Sequence, residues 1–348
     1  MSAETFQIDG RVIGPGHSPY VIAELSGNHN GEIERALRLI EAAKEAGADA
    51  VKFQTYTADT ITLDHDGPGF TISGGLWDGR RLYELYQEAH TPWDWHPALF
   101  EHARKVGISC FSSPFDPSAV DFLESLGAPA YKIASFELVD TPLIRHAART
   151  GKPLIMSTGL ADASEVDDAV AAAAGAKGVA LLHCVSGYPT PAEDANLARI
   201  PALAVKYDCP IGLSDHTLGT EAAVAAVALG AAIIEKHFTL ARADGGPDAA
   251  FSLEPEELAA LVKGARMAFS ALGRADYGRA ASEQDNATFR RSLYAVKDIA
   301  AGETLTERNV RSIRPGHGLA PKHLPEILGR RARKAIARGT PMTFELVE

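Results

Sequence analysis

Eight short apolar segments recur between residues 20 and 234, and the stretches between them have the spacing of amphipathic helices. Most successive segments start 21 to 31 residues apart, about the length of one strand–loop–helix unit. Short buried strands separated by helices predict a parallel sheet, and eight such units predict a (β/α)8 TIM barrel of the α/β class. A doubly wound open sheet is the alternative, although no Gly-x-Gly-x-x-Gly motif follows the first segment. The predicted strands are residues 20–25, 50–53, 107–111, 130–134, 153–156, 179–184, 210–213 and 231–234.

One interval is too long for a single helix, because the second and third segments start 57 residues apart. It contains a stretch rich in glycine and polar residues at 64–79, followed by helical patterns at 82–89 and 93–105. Long loops in compact domains are usually functional or disordered. We expect this loop to follow strand two at the mouth of the barrel, where its aromatic residues contribute to function or hold the loop in place.

The flanking segments complete the predicted organisation. A strand-like piece at 6–13 precedes the barrel, helices are predicted at 32–46 and 255–272, and the region after the second helix is polar and lacks periodicity. We therefore predict a barrel domain at 1–275, a linker at 276–288 and a small, mainly β domain at 289–348. The strands predicted in this last domain are residues 293–296, 309–313, 335–336 and 342–347.

Composition restricts the class of protein. A hydrophobic content of 46% with 23% charged residues is typical of a globular chain. No apolar run approaches the ~20 residues that span a bilayer, and the first ten residues are too polar for a signal peptide. Cys110, Cys184 and Cys209 follow no metal-ligand spacing and lie within or beside apolar runs, so we expect buried thiols in a reducing cytoplasm.

Charge is distributed unevenly along the chain. The formal net charge is −11, yet from residue 289 onward there are 12 Lys and Arg against 6 Asp and Glu. A basic tail on an acidic body can bind nucleic acid, dock on its own body or supply a cation to an anionic substrate.

Two predicted neighbouring strands each end in a histidine, His216 and His237. If the strands are parallel and joined by the intervening helix, both imidazoles lie at their C-terminal ends, where barrel enzymes place their chemistry. Hydrogen bonding to backbone carbonyls would account for either histidine alone. Two at matched positions favour a divalent metal site.

Polar residues also follow the other predicted strands. Lys52 and Lys132 lie inside apolar runs, where a lysine without an anionic partner is costly. They either pair internally with Glu24 or Glu137, or bind a phosphate or carboxylate together with nearby hydroxyls and the turn at 157–159. Glu24 is then the candidate acid/base, unless it serves as the partner of a lysine. The remaining polar candidates at this end are Ser113, Ser135, Ser157, Ser186, Tyr188, Ser214 and Asp248.

Several motifs, in order, resemble the sialic acid (nonulosonic acid) synthase family, and the resemblance covers almost the whole chain. They are AELSGNHN at 23–30, VKFQTY at 51–56, YKIASFE at 131–137, STG at 157–159, GLSDHT at 212–217 and EKHFT at 235–239. The tail, with RSLYAV at 291–296 and IRPG at 313–316, resembles the antifreeze-like (SAF) domain of that family. Residues 82–96 are more similar to the members that make pseudaminic acid than to neuraminate synthases.

The resemblance implies a role for each matching residue. His216 and His237 would hold Mn²⁺, with Mg²⁺ or Co²⁺ as alternatives, and Glu24 would be the acid/base. Glu137, Tyr188 and Asp248 would face an amino sugar, and Arg314 would reach the sugar from the partner subunit of a domain-swapped homodimer. The residues implied in binding phosphoenolpyruvate are Lys52, Ser113, Lys132, Ser135, Ser157 and Ser214. Ser186 departs from the family, since neuraminate synthases usually have Asn there.

The implied reaction condenses phosphoenolpyruvate with 2,4-diacetamido-2,4,6-trideoxy-altrose and releases phosphate by C–O cleavage. Neuraminate or legionaminic acid synthesis is the alternative within the family. A Schiff-base aldolase using Lys52 or Lys132, or a glycan- or nucleic-acid-binding protein, are the alternatives outside it. We expect no nucleic-acid partner and no membrane association.

Overall fold

The computed structural model describes residues 4–348, which divide into two compact units after Gly273. The first unit begins with an antiparallel hairpin of β1 (Phe6–Ile8) and β2 (Arg11–Ile13). Its Asp9–Gly10 turn has positive φ at both residues, the conformation that Asp-Gly favours in two-residue hairpins. The turn divides what the sequence predicted as one strand-like piece.

The first unit is a closed barrel of eight parallel strands, which confirms the predicted fold class. Neighbours in the barrel are also neighbours in sequence, and the last strand pairs with the first. The strands are β3 (Tyr20–Glu24), β4 (Ala50–Thr55), β5 (Ser109–Pro114), β6 (Tyr131–Ile133), β7 (Leu154–Ser157), β8 (Val179–Cys184), β9 (Ile211–Asp215) and β10 (Ile233–His237).

Helices surround the barrel and bury their apolar faces against the outer sides of the strands. Three helices occupy the long interval between β4 and β5, where the sequence predicted a loop followed by helices. The loop itself folds back through an antiparallel bridge between Thr71 and Arg81. The helices are α1 (Ile33–Glu45), α2 (Ala58–Ile61), α3 (Leu82–Ala89), α4 (His96–Val106), α5 (Pro117–Ser125), α6 (Thr141–Ala148), α7 (Ala163–Ala172), α8 (Arg199–Lys206), α9 (Glu221–Ala228) and α10 (Pro255–Leu272).

The interior of the barrel is apolar at the end where the strands begin. Alternation along each strand turns every second side chain inward. The hairpin residues Phe6, Ile8 and Ile13 belong to the same buried cluster, so the hairpin covers the N-terminal end of the barrel. The inward apolar residues are Tyr20, Ile22, Ala50, Phe111, Ala130, Ile155, Ala180, Leu182 and Ile233.

Most strands extend further than the apolar runs predicted. β9 continues to Asp215 and β10 to His237, because ladder hydrogen bonds continue through polar residues after the apolar run has ended. No helix among residues 4–348 is both long and apolar enough to cross a membrane.

The second unit, residues 274–348, has its own small core. It contains the antiparallel pair β11 (Ser292–Ala295) and β12 (Val310–Ile313) and one short helix, α11 (Leu324–Ile327). Residues 276–288, predicted as a linker, include two short 3₁₀ segments and belong to this unit. The strand predicted at 342–347 is wrong, because Phe344–Leu346 forms a 3₁₀ turn and only isolated bridges join this end to its neighbours.

Candidate active site

A layer of charged and hydroxyl side chains lies directly above the apolar interior, at the C-terminal ends of the strands. Alternate residues of each strand face the barrel interior, so Glu24 lies above Ile22 on β3 and Lys52 lies above Ala50 on β4. Glu24 and Lys52 are 1% and 3% exposed, so this layer is removed from bulk water. The barrel thus brings residues from distant parts of the sequence to one mouth.

Lys52 lies between two carboxylates. Its Nζ atom is 2.7 Å from Glu24 Oε2 and 3.3 Å from Glu235 Oε1, and it donates to Ser113 Oγ at 3.2 Å. Gln54 Nε2 donates to the other oxygen of Glu24 at 3.0 Å. The internal pairing of Lys52 with Glu24 that the sequence suggested is therefore present, and Glu235 adds a second partner.

Glu235 is a site residue that the sequence analysis missed. Its Oε1 atom lies 3.6 Å from Lys132 Nζ and accepts a hydrogen bond from Ser214 Oγ at 3.2 Å. No salt bridge joins Glu137 to Lys132 in the part of the chain that the structure describes, so the alternative partner suggested for this lysine is wrong. Glu235 precedes His237 by two residues on one strand, and this spacing places both on the inner face.

A group of hydroxyls lies at the C-terminal ends of β6 and β7 and in the loop after β8. The backbone N–H of Gly159 donates to Ser135 Oγ at 3.2 Å. A Cβ atom at Gly159 would lie 2.6 Å from Ser135 Oγ and 2.4 Å from Ser186 Oγ, so any larger residue would displace both hydroxyls. The buried hydroxyls of Ser157 and Ser186 have no hydrogen-bond partner among residues 4–348, and they remain free to bind a ligand.

The rings of His216 and His237 come together as predicted, with their centroids 5.4 Å apart. His216 Nδ1 lies 2.9 Å from the carbonyl oxygen of Val185. Because a carbonyl only accepts, Nδ1 carries the proton and Nε2 presents a lone pair. His237 Nδ1 is buried and finds no hydrogen-bond partner in the described chain, while Asp248 Oδ2 lies 3.8 Å away.

This arrangement fits a catalytic metal better than a structural one. No group of three or more His, Cys, Asp or Glu side chains between residues 4 and 348 is placed to hold an ion. The two imidazoles would thus supply two nitrogen ligands and leave positions for substrate or water, as open catalytic sites require. An unpartnered buried imidazole nitrogen supports this interpretation, since a buried polar atom without a partner is costly.

Aromatic side chains form one wall beside the histidines. The Tyr188 ring lies 4.3 Å from that of His216 and 5.3 Å from that of Phe251, measured between centroids. Trp77, from the long loop after β4, lies 5.6 Å from Tyr188 and donates its indole N–H to the carbonyl of Pro247 at 3.0 Å. The long loop therefore reaches the mouth, as its position in the sequence predicted.

The remaining predicted residues divide between the two units. Glu137, just past β6, is partly buried, and Asp248 lies in the loop after β10 beside His237. Arg314 follows β12 in the second unit, where it is exposed. Its predicted contact with the sugar bound to a partner subunit remains a prediction.

Burial and neighbouring charges together shift the pKa values of these groups. Burial raises the pKa of Glu24 to about 7 despite the opposing charge of Lys52, and it also raises the pKa of Glu137 to about 7. Burial lowers the pKa of Lys132, and the charge of Glu235 offsets this only in part. At Lys52 the effect of burial is exceeded by Glu235 and Glu24, so its pKa is raised. The mouth therefore combines a fixed cation with carboxyl groups that titrate near neutrality.

Comparisons with known proteins agree with this geometry. The family model described as the NeuB family matches residues 39–277, and the SAF domain model matches residues 290–348. Pseudaminic acid synthase of Campylobacter jejuni subsp. jejuni (strain 81-176) is 48% identical over 92% of this chain and 94% of its own length. Its namesake from Helicobacter pylori is 44% identical, with coverage of 95% and 98%.

A solved structure extends the likeness to three dimensions. The N-acetylneuraminic acid synthetase of Leptospira borgpetersenii is 36% identical, with a TM-score of 0.74 over 82% of this chain and 95% of that one. The resemblance to sialic acid synthases drawn from the motifs is thus confirmed. The chain belongs to the NeuB family and carries a C-terminal SAF domain.

Proposed function

We propose that this enzyme is a pseudaminic acid synthase, which condenses phosphoenolpyruvate with 2,4-diacetamido-2,4,6-trideoxy-altrose to give pseudaminic acid and phosphate. Relatives with that name are 44–48% identical over more than nine-tenths of the chain. The observation that carries the proposal is the placement of two buried lysines beside a pair of histidines at one barrel mouth. Three free thiols support a reducing compartment such as the cytoplasm.

Lys52 and Lys132 would bind the phosphate and carboxylate of phosphoenolpyruvate. Both ammonium groups are buried, where charge-assisted hydrogen bonds are strong, and Ser113 Oγ accepts a hydrogen bond from Lys52. Glu235 holds the two lysines in place between turnovers, since its Oε1 atom contacts both. The hydroxyls assigned to this cradle are those of Ser113, Ser135, Ser157, Ser186 and Ser214.

His216 and His237 would hold a divalent cation, with Mn²⁺ as first choice and Mg²⁺ or Co²⁺ as alternatives. When bound, such a cation supplies Lewis-acid stabilisation of the negative charge that develops on an aldehyde oxygen. The free nitrogen of His216 and the unpartnered nitrogen of His237 support this assignment.

The reaction forms a carbon–carbon bond between C3 of phosphoenolpyruvate and C1 of the open-chain sugar. Water then adds to C2, and the C–O bond to phosphate breaks. We assign Glu24 as the acid/base, because a carboxyl with pKa near 7 can both take up and release a proton at neutral pH. Lys52 and Gln54 hold its two oxygens and so fix its orientation.

Glu137, Tyr188 and Asp248 would face the sugar. Together with Phe251 and Trp77, the Tyr188 ring supplies an apolar surface suited to the methyl group of a 6-deoxy sugar. A 6-hydroxy sugar would lose water contacts on the same surface. This wall favours the trideoxy substrate over N-acetylmannosamine.

We also propose a domain-swapped homodimer in which Arg314 of the partner subunit reaches the sugar. Mixing two inactive variants tests this arrangement. The Glu24→Gln and Arg314→Ala homodimers each lack one essential group. A heterodimer would combine the intact barrel of one with the intact Arg314 of the other, and activity would return. If Arg314 acts within its own chain, mixing restores nothing.

Phosphate release from phosphoenolpyruvate, measured with each candidate sugar, tests the reaction. We expect turnover with the 2,4-diacetamido-2,4,6-trideoxy-altrose and little with N-acetylmannosamine or the legionaminic acid precursor. Comparable turnover of either alternative would overturn the substrate assignment.

Borohydride trapping tests the alternative of a Schiff-base aldolase. Burial lowers the pKa of Lys132, as in lysines that form Schiff bases, and a reducible sugar adduct would favour an aldolase instead.

A further inference from the structure

A buried ion pair lies behind the histidines, on the outer side of β9 and β10. Lys236 Nζ is 2.7 Å from Asp215 Oδ2, and the two side chains are 0% and 2% exposed. The residues face one another in the register of the two strands. Asp215 immediately precedes His216, and Lys236 immediately precedes His237. Alternation thus turns the ion pair outward and the imidazoles inward.

The pair also fixes the backbone on the far side of His216. Asp215 Oδ1 accepts a hydrogen bond from the N–H of Thr217 at 2.9 Å. Lys236 Nζ donates to the carbonyl oxygen of the same residue. The segment that carries His216 is therefore tied, before and after the histidine, to the position on β10 that precedes His237.

Stability alone does not account for these contacts. Removing two charges from water costs several kcal/mol per ion, and replacing a buried ion pair with apolar residues is often neutral or stabilising. What such a pair supplies that apolar residues do not is a fixed distance and direction between two strands. Here those strands carry the two nitrogen ligands assigned above.

We propose that Asp215 and Lys236 are positioning residues that set the separation and orientation of His216 and His237 for a divalent cation. This inference rests on the metal site of the proposed function. Outer contacts of this kind orient ligands, and their loss typically weakens metal binding by about 10- to 100-fold. Both side chains point away from the barrel interior, so the effect is transmitted through the backbone of the two histidines.

The double variant Asp215→Asn/Lys236→Met tests the proposal. It removes both charges, retains an oxygen that can accept from Thr217 N–H, and keeps a side chain close to lysine in length. Mn²⁺ binding without substrate is measured by the electron paramagnetic resonance of free Mn²⁺. We expect binding about 10- to 100-fold weaker than in the wild type. The Mn²⁺ concentration for half-maximal activity rises in parallel, while KM for phosphoenolpyruvate at saturating Mn²⁺ stays unchanged.

A second ion pair provides the matched control. Lys152 Nζ lies 2.8 Å from Glu124 Oε2, just before β7 and therefore at the opposite end of the barrel. The variant Glu124→Gln/Lys152→Met loses the same two charges and should bind Mn²⁺ as the wild type does. If it weakens Mn²⁺ binding equally, the effect is not specific to the histidine strands and the inference fails.

Other outcomes separate this inference from the function on which it rests. If the wild type binds Mn²⁺ and the double variant binds it within about twofold, with only a lower melting temperature, the pair is merely structural. Absence of binding by the wild type overturns both the metal site and the inference. Should circular dichroism show the double variant unfolded, Asp215→Asn, in which an oxygen at residue 215 and the amine of Lys236 can both keep their Thr217 contacts, is judged by the same criteria.

Discussion

The Oε1 atom of Glu235 lies 3.3 Å from the Nζ atom of Lys52 inside the mouth of the barrel. The same oxygen is 3.6 Å from Lys132, so one carboxylate is shared by two ammonium groups. With Glu24 ionised, the four groups sum to zero charge, and with Glu24 protonated they sum to +1. An incoming dianionic or trianionic substrate is therefore attracted more strongly when Glu24 carries its proton.

Replacing Lys132 with methionine should weaken phosphoenolpyruvate binding more than it affects the fold. The variant removes one ammonium group from the cradle and leaves Glu235 paired with Lys52. We expect KM for phosphoenolpyruvate to rise by about 10- to 100-fold, as for the loss of a buried charge-assisted contact. Initial rates at varied phosphoenolpyruvate check this, with Lys152→Met as control. An unchanged KM would show that Lys132 does not bind this substrate.

Glu24 should determine the pH dependence near neutrality. Burial raises its pKa to about 7, so the carboxyl is protonated below that pH and ionised above it. The pH profile of kcat/KM for the wild type should change slope, or bend, at about pH 7. In Glu24→Gln the bend disappears and kcat falls by about 10²- to 10⁴-fold, as for loss of a general acid/base. If Glu24→Gln keeps the bend, a group other than Glu24 is responsible for it.

Glu137 should make the free protein less stable at alkaline pH. Burial raises its pKa from 4.5 to about 7, so the folded state binds the proton more tightly than the unfolded state does. Its stabilising contribution is complete below pH 4.5 and is lost as pH rises to 7. The free energy of unfolding of Glu137→Gln should thus exceed that of the wild type by up to about 3 kcal/mol at pH 8 and equal it at pH 4. Urea denaturation at both pH values measures the difference. Equal stability at pH 8 contradicts the expectation.

Chelation should abolish activity reversibly. If His216 and His237 hold the cation, dialysis against EDTA removes it, and Mn²⁺ restores turnover because paired barrel strands position both histidines. His237→Ala should lose Mn²⁺ binding and activity together. Calorimetric titration with Mn²⁺ and a phosphate-release assay on the same samples test this. Full turnover of EDTA-treated His237→Ala would falsify the metal assignment.

Trp77 should contribute to the choice of sugar. Its indole ring extends the aromatic wall at Tyr188 and anchors the loop to Pro247. In Trp77→Ala we expect kcat/KM for the 6-deoxy sugar to fall by about 10- to 100-fold, with a smaller loss for N-acetylmannosamine. Competition between the two sugars gives the ratio directly. Trp93→Phe is the control, because the Trp93 ring stacks on Phe122 and not on Tyr188. An equal loss for both sugars would indicate a general role in closing the mouth.

The barrel and the histidine pair could be predicted from the sequence because both follow from local periodicity. Eight apolar segments at regular spacing require eight buried strands, and matched positions on neighbouring parallel strands place His216 and His237 together. Family motifs added the roles of individual residues. Glu235 was recognised within the EKHFT motif but was given no role, because its partners Lys52 and Lys132 come from distant parts of the sequence.

Partner choice between buried charges could not be predicted in the same way. The sequence offered Glu24 or Glu137 as partners of the lysines. The pairing of β10 with β3 and of β3 with β4 brings Glu235 near Lys52, and closure of the barrel brings it near Lys132 of β6. The ion pair of Asp215 and Lys236 depends on the same register. In the second unit, several short segments pair only through isolated bridges. The apolar pattern at 342–347 therefore predicted a strand where the chain forms a 3₁₀ turn.

The hairpin of β1 and β2 has a consequence for the order of events in turnover. Apolar side chains fill the barrel interior, and the hairpin residues Phe6, Ile8 and Ile13 cover its N-terminal end, so no passage leads through the barrel. Reactants and products therefore enter and leave through the same mouth of the barrel. We therefore expect inorganic phosphate, once released, to compete with phosphoenolpyruvate, because both would bind Lys52 and Lys132 and both would use the same mouth of the barrel.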